Sequence, residues 1–172
     1  DPTYQYGAIS GKDANLTIEN TLIEDVLFPI YINGGSIDLR NNDIYCEFTC
    51  DFINVKYGTA NIEGNTFFGS NAIDTDAIDL DGVSNGLVKG NKIYNFVGFN
   101  SDGIDIGEVS SNIVIEDNLI YHSGDKGVSV GQGSTVTLKS NVIIGSKVGI
   151  AVKDNSTADV TNKIGRAHVW TP

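Results

Sequence analysis

Five charged side chains in the middle of the chain have the types and spacing to do chemistry together: Asp76, Asp79, Asp102, Asp105 and Lys126. Asp76-Ala77-Ile78-Asp79 and Asp102-Gly103-Ile104-Asp105 are the same four-residue frame, and Lys126 opens the next one. If successive frames lie side by side at strand spacing, four carboxylates come within about 5 Å of one another. They then repel, even in water. A hard cation bound through oxygen would relieve that repulsion, and a flexible carboxylate array with water suits Ca²⁺ better than Mg²⁺. Asp76, Asp79, Asp102 and Asp105 are therefore the candidate metal ligands, and Lys126 with Asp102 the candidate catalytic pair. The bland alternative is a solvated, screened acidic face with Lys126 as counter-charge. Neither an EF-hand loop nor a Gly-Gly-x-Gly-x-Asp repeat accompanies these residues.

What would place the frames side by side is a repeat. Six stretches share one pattern: an aliphatic residue, two variable residues, Asn or Thr, one variable residue, then an apolar residue. Its polar position is Thr21, Asn42, Asn65, Asn91, Asn118 and Asn141. A period of about 20 to 30 residues means stacked units rather than one closed core. A second column runs in phase, from Pro29-Ile30-Tyr31-Ile32 through Gly103-Ile104-Asp105-Ile106 to Gly149-Ile150-Ala151-Val152. Its apolar–polar–apolar alternation is the strand period. Ile and Val dominate the inward positions, as strands prefer. Leucine-rich repeats would show a similar signature, but the return segments 74–86 and 100–111 are full of Gly, Asp and Ser, which opposes a helix. The expectation is an all-β, right-handed parallel β-helix solenoid of about seven coils, cut at both ends. In such a stack Asn42, Asn65, Asn91, Asn118 and Asn141 form a structural ladder at turns, and the column is assigned no chemistry.

The chain has 172 residues, of which 40% are hydrophobic, and a net charge of −11. That charge argues against nucleic acid, whose phosphates need a basic face. No run of apolar residues is long enough for a membrane span. There is no Met, so the start of the parent protein and further domains are expected to be missing. Residues 164–172, Ile164-Gly165-Arg166-Ala167-His168-Val169-Trp170-Thr171-Pro172, look like a translated sequencing adapter, and Lys163 stands where the repeat demands Asn or Thr. One domain over 1–163 and a non-native tail over 164–172 are expected. Cys46 and Cys50 lie at a corner between strands, where they could close a local disulfide or remain free thiols. His122 is read as a turn or surface residue.

Asn100-Ser101-Asp102-Gly103-Ile104-Asp105-Ile106-Gly107, followed by Gly124-Asp125-Lys126, resembles the polygalacturonase signature on the pectin-lyase-like β-helix. That family hydrolyses its polymer with three aspartates as acid and base. Asp102 and Asp125 match, but Lys126 replaces the second Asp of the pair and Val148 the His. The same residues also resemble pectate-lyase-like enzymes, which hold uronate through Ca²⁺ on aspartates and use Lys or Arg as base. Surrounding carboxylates raise a Lys pKa, so Lys126 could act as base only beside a bound cation. Over about residues 70–162 the chain looks like the right-handed β-helix regions of bacterial secreted and surface proteins, which implies a fold and a surface context. The reading is a rigid binding or display module of a secreted or cell-surface protein, associated with polysaccharide and Ca²⁺. The alternatives are a Ca²⁺-dependent acidic-polysaccharide lyase and a polygalacturonase-like hydrolase.

Overall fold

The computed structural model describes residues 7–46 and 50–162, together with the backbone of 169–170. Each coil contributes a strand to each of three faces, except that the last described coil has none on the third. The first face holds the opening halves of β1 (Gly7–Glu19) and β3 (Phe28–Arg40), then β5 (Ile53–Lys56), β8 (Ile78–Asp81), β11 (Ile104–Gly107), β14 (Lys126–Val130) and β17 (Val148–Val152). The second holds the closing halves of β1 and β3, then β6 (Thr59–Glu63), β9 (Asn85–Lys89), β12 (Ile113–Glu116), β15 (Thr135–Lys139) and β18 (Thr157–Thr161). The third holds β2 (Leu22–Glu24), β4 (Asp43–Tyr45), β7 (Thr66–Phe68), β10 (Lys92–Phe96), β13 (Leu119–Ser123) and β16 (Val142–Ile144). Because β1 and β3 run unbroken through the first two faces, these form one 13-stranded sheet, and the third face is a 6-stranded sheet. Every strand pairing among the described residues is parallel. The result is a β-solenoid of about seven coils, and no described helix is long and apolar enough to cross a membrane.

Ile30, Ile53, Ile78, Ile104, Val128 and Ile150 stack in register down the inside of the first face and are buried. Each removes an aliphatic side chain from water, a contribution of about 1.5–3 kcal/mol per residue. Phe52 and Phe96 meet edge to face in the interior, with ring centroids 4.8 Å apart.

The corner between the second and third faces is one residue in the left-handed region. It is Asn20, Asn41, Gly64, Gly90, Asp117 or Ser140 in successive coils, with φ between 52° and 68°. Asn, Asp and Gly tolerate that conformation better than other residues. The next residue in each coil is the repeated polar position. The amides of Asn42, Asn65, Asn91 and Asn118 each donate to the Oδ1 of the asparagine one coil on, at 2.9–3.0 Å. That same Oδ1 accepts the backbone N–H of the earlier asparagine, at 2.9–3.1 Å. The amide's other proton goes to a strand carbonyl, for example Asn118 Nδ2 to Val88 O at 2.8 Å. All five asparagines are buried, so these bonds replace the water the groups have lost.

Outward on the second face runs a column of alternating sign: Glu19, Arg40, Glu63, Lys89, Glu116 and Lys139, each in register with the next. Arg40 bonds Glu19 at 3.1 Å and Lys89 bonds Glu116 at 2.8 Å.

Cys46 and Cys50 are buried thiols that form no disulfide, and they donate to the backbone carbonyls of Val26 and Leu27 respectively. Of the segment 164–172, Val169–Trp170 forms β19, whose backbone pairs with β17 at Ile150 and Ala151 and extends the first face. The other residues of that segment, and Lys163, lie outside the described residues.

Candidate functional site

The acidic residues stand where strands of the first face begin, at the corner shared with the third face. Gly98 and Gly124 make that corner tight. A Cβ on Gly98 would lie 1.6 Å from Ala72 O, and one on Gly124 would lie 1.9 Å from Gly98 O. The backbones of consecutive coils therefore press directly on one another just ahead of Asp102 and Lys126.

From this corner the carboxylates form a second ladder. Asp51 Oδ1 accepts the backbone N–H of Asp76 at 3.0 Å, Asp76 Oδ1 that of Asp102 at 2.6 Å, and Asp102 Oδ1 that of Lys126 at 2.7 Å. Each acid holds the coil that follows it. Mid-strand and outward, Asn54, Asp79, Asp105, Ser129 and Ala151 continue side by side. Oxygens of Asp76, Asp102 and Asp105 all lie within 4.8 Å of one another, so three of the four predicted ligands converge. Asp79 does not join that group. Its carboxylate accepts from the Asn54 amide at 2.6 Å, and the same amide reaches Asp51 at 3.0 Å.

A solvated acidic face does not describe this place. Asp102 is 4% exposed and Asp79 9%. Burial, the largest influence, pushes the carboxyls of Asp51, Asp76, Asp79 and Asp105 above the usual range. Neighbouring acids add to it, chiefly Asp51 and Asp102 for Asp76, and Asp51 for Asp79. Asp102 is pushed up to about 7 by burial, although Lys126 pulls the other way. Loss of hydration favours a neutral acid, and like charges favour it further.

Lys126 Nζ lies 3.3 Å from both oxygens of Asp102 and pairs with Asp125. Burial alone would lower its pKa, but the bond to Asp125 and the charge of Asp102 outweigh that and raise it. The predicted catalytic pair is thus a closed ion pair with a firmly held ammonium. Lys147 reaches Asp125 at 3.6 Å and lies 5.1 Å from the centre of the Phe99 ring, which is 77% exposed. At the far ends of β5, β8 and β11, Lys56 pairs with Asp81 and lies 3.9 Å from Glu108. His122 is exposed beside Tyr121, with ring centroids 4.1 Å apart.

Sequence reasoning passed over Asp51, although it stands in the same register position as Asp76 and Asp102. It also missed Phe99 and Lys147, which lie on turns where no periodicity marks them. A serine column at the corner between the first two faces went unread as well. There Ser110 Oγ accepts the N–H of Val83 at 2.9 Å, Ser134 Oγ that of Ser110 and Ser156 Oγ that of Ser134, both at 3.1 Å. Its signal was a Ser three residues after Gly107, Gly131 and Lys153.

Three parallel faces, an asparagine ladder and about seven coils define a β-helix. The chain belongs to the right-handed β-helix family, whose model, described as a right-handed β-helix region, matches residues 3–164. No curated protein and no solved structure matches the chain.

Proposed function

We propose that this chain is a rigid binding module of a secreted or cell-surface protein, which engages carbohydrate along its first face with Ca²⁺ held by Asp76, Asp102 and Asp105. The observation that carries the reading is the convergence of those three carboxylates within 4.8 Å at one joint between coils. Three converging carboxylates suit a hard, oxygen-liganded cation, and a carboxylate array that keeps water suits Ca²⁺ better than Mg²⁺. The Lys147 ammonium reaches Asp125, the partner of Lys126, and lies over the Phe99 ring. An apolar ring face and an exposed cation suit an acidic sugar, which offers a C–H face and a carboxylate. The fold by itself is only a prior for carbohydrate.

Binding is favoured over cleavage by Lys126. A lyase base must take up a proton from sugar carbon, and the ammonium of Lys126 keeps its own, paired with Asp102 and Asp125. A polygalacturonase-like hydrolysis would need an acid at 126 and a His at 148, where Lys and Val stand.

The test is thermal melting with and without Ca²⁺, followed by retention on immobilised polygalacturonate. Ca²⁺ should raise the melting temperature, because a ligand bound only by the folded state stabilises it. Asp102→Asn should remove that rise and the retention with it. Unsaturated sugar product that disappears in Lys126→Ala would replace this reading with the lyase. Absence of both the Ca²⁺ effect and retention would sink it altogether.

A further inference from the structure

The outer side of the third face carries a line of aromatic rings. Tyr45, Phe68, Tyr94 and Tyr121 occupy one register position in successive coils, and Ile144 continues it. Four rings at strand spacing make a stripe about 14 Å long, parallel to the solenoid axis. These rings do not build the core. The inward positions of the same strands are Ile44, Phe67, Ile93, Ile120 and Ile143, all buried, whereas Tyr45, Phe68 and Tyr121 keep 37–42% of their surface in water. Phe68 and Tyr94 stack at 5.6 Å, but Tyr121 stacks on His122 instead. A shallow notch beside the stripe is lined by Phe68, Tyr94, Asn95, Leu119, Tyr121 and Ile144.

We infer that this stripe is a second carbohydrate-binding surface, separate from the acidic joint, and that its ligand is an uncharged, linear polysaccharide lying along the solenoid axis. A line of rings one coil apart suits a linear polymer with one ring-sized unit per step. The rings supply apolar area, and tyrosine adds a hydroxyl at its tip. Beside them the neighbouring column places Asp43, Thr66 and Lys92, hydrogen-bonding groups with no excess of either sign. An apolar platform with a few polar groups is the composition of a small-molecule site. The net charge of −11 disfavours a second copy of the same chain, and an anionic polymer would lack here the carboxylate cluster that could bridge it through Ca²⁺ on the first face.

The experiment is native gel electrophoresis through hydroxyethylcellulose or laminarin, with polygalacturonate as the acidic comparison. At least one neutral polymer should slow the protein. Tyr94→Leu with Tyr121→Leu keeps apolar bulk and removes two rings, so the affinity should fall at least about tenfold. Cooperative melting of that variant shows that it is folded, and Phe68→Leu, singly, gives a milder second test of the same stripe. Asp102→Asn and chelation should leave this retardation unchanged, which separates it from the first-face site. No retardation by either neutral polymer, or equal retardation of the double variant, overturns the inference. So does a dimer in sedimentation that Tyr94→Leu with Tyr121→Leu abolishes, since the face would then belong to a second copy.

Discussion

Asp102 grips Lys126 twice: its Oδ1 accepts the backbone N–H at 2.7 Å, and both its oxygens lie 3.3 Å from the ammonium of the same side chain. One carboxylate thereby fixes the start of the next coil and its charge. The residue that best suits a metal ligand is also a structural clamp, so its substitutions must be read with stability measured alongside binding.

Stability should fall as pH rises. The carboxyls of Asp51, Asp76, Asp79, Asp102 and Asp105 titrate higher in the folded chain than in the unfolded one, with Asp102 near 7. Between about pH 4 and pH 7 the folded state therefore holds more protons, and stability declines with pH across that window. Metal-free protein should melt higher at pH 5 than at pH 8, the reverse of ordinary acid denaturation. Asp102→Asn should flatten the curve. A melting temperature that climbs steadily from pH 5 to pH 8 would contradict this account.

Protons and Ca²⁺ compete for the same oxygens. The rise in melting temperature caused by Ca²⁺ should be larger at pH 8 than at pH 5. Equal rises at the two values would place the ion elsewhere.

Asn118→Leu should cost about 2–4 kcal/mol in chemical denaturation, since it removes an amide that donates twice and an acceptor used twice in a buried place. The amide of Asn118 donates to Asn141 and Val88, and its Oδ1 serves Asn91 twice. Asn118→Asp keeps the shape but cannot donate, so it should do no better. If either variant melts like the parent, the ladder is not a principal support.

Lys89→Glu sets three acids in line along the second face, at positions 63, 89 and 116. Like charges directly opposite are unfavourable. The melting temperature should drop at low salt and recover as salt screens the column. A drop that is independent of salt would point to packing instead.

The coil positions were legible because a stack must repeat its contacts. Ile78, Ile104 and Val128 meet the same neighbours in each coil, and that demand writes itself into the sequence as a column. Asp76, Asp102 and Asp105 were legible as a group for the same reason. The exclusion of Asp79 was not, because it depends on Asn54 turning its amide toward it, a choice of side-chain direction that spacing does not encode. Nor was the burial of Asp102 legible, which converts a screened surface acid into one pushed up to about 7. The aromatic stripe was in plain sight as Tyr45, Phe68, Tyr94 and Tyr121. It was not legible as a site because apolar residues in a strand read as core, and outward apolar residues on the third face break that inside–outside rule.

The alternating column on the second face also bears on how such a solenoid can change length. Removing the coil that carries Glu63 would set Arg40 beside Lys89, and removing the coil that carries Lys89 would set Glu63 beside Glu116. Loss of two adjacent coils instead joins Arg40 to Glu116, opposite in sign. The asparagine ladder is indifferent to such edits, because every rung is the same. The charge column is not, and it gives the stack a parity: a change of two coils keeps opposite signs adjacent along it, and a change of one does not.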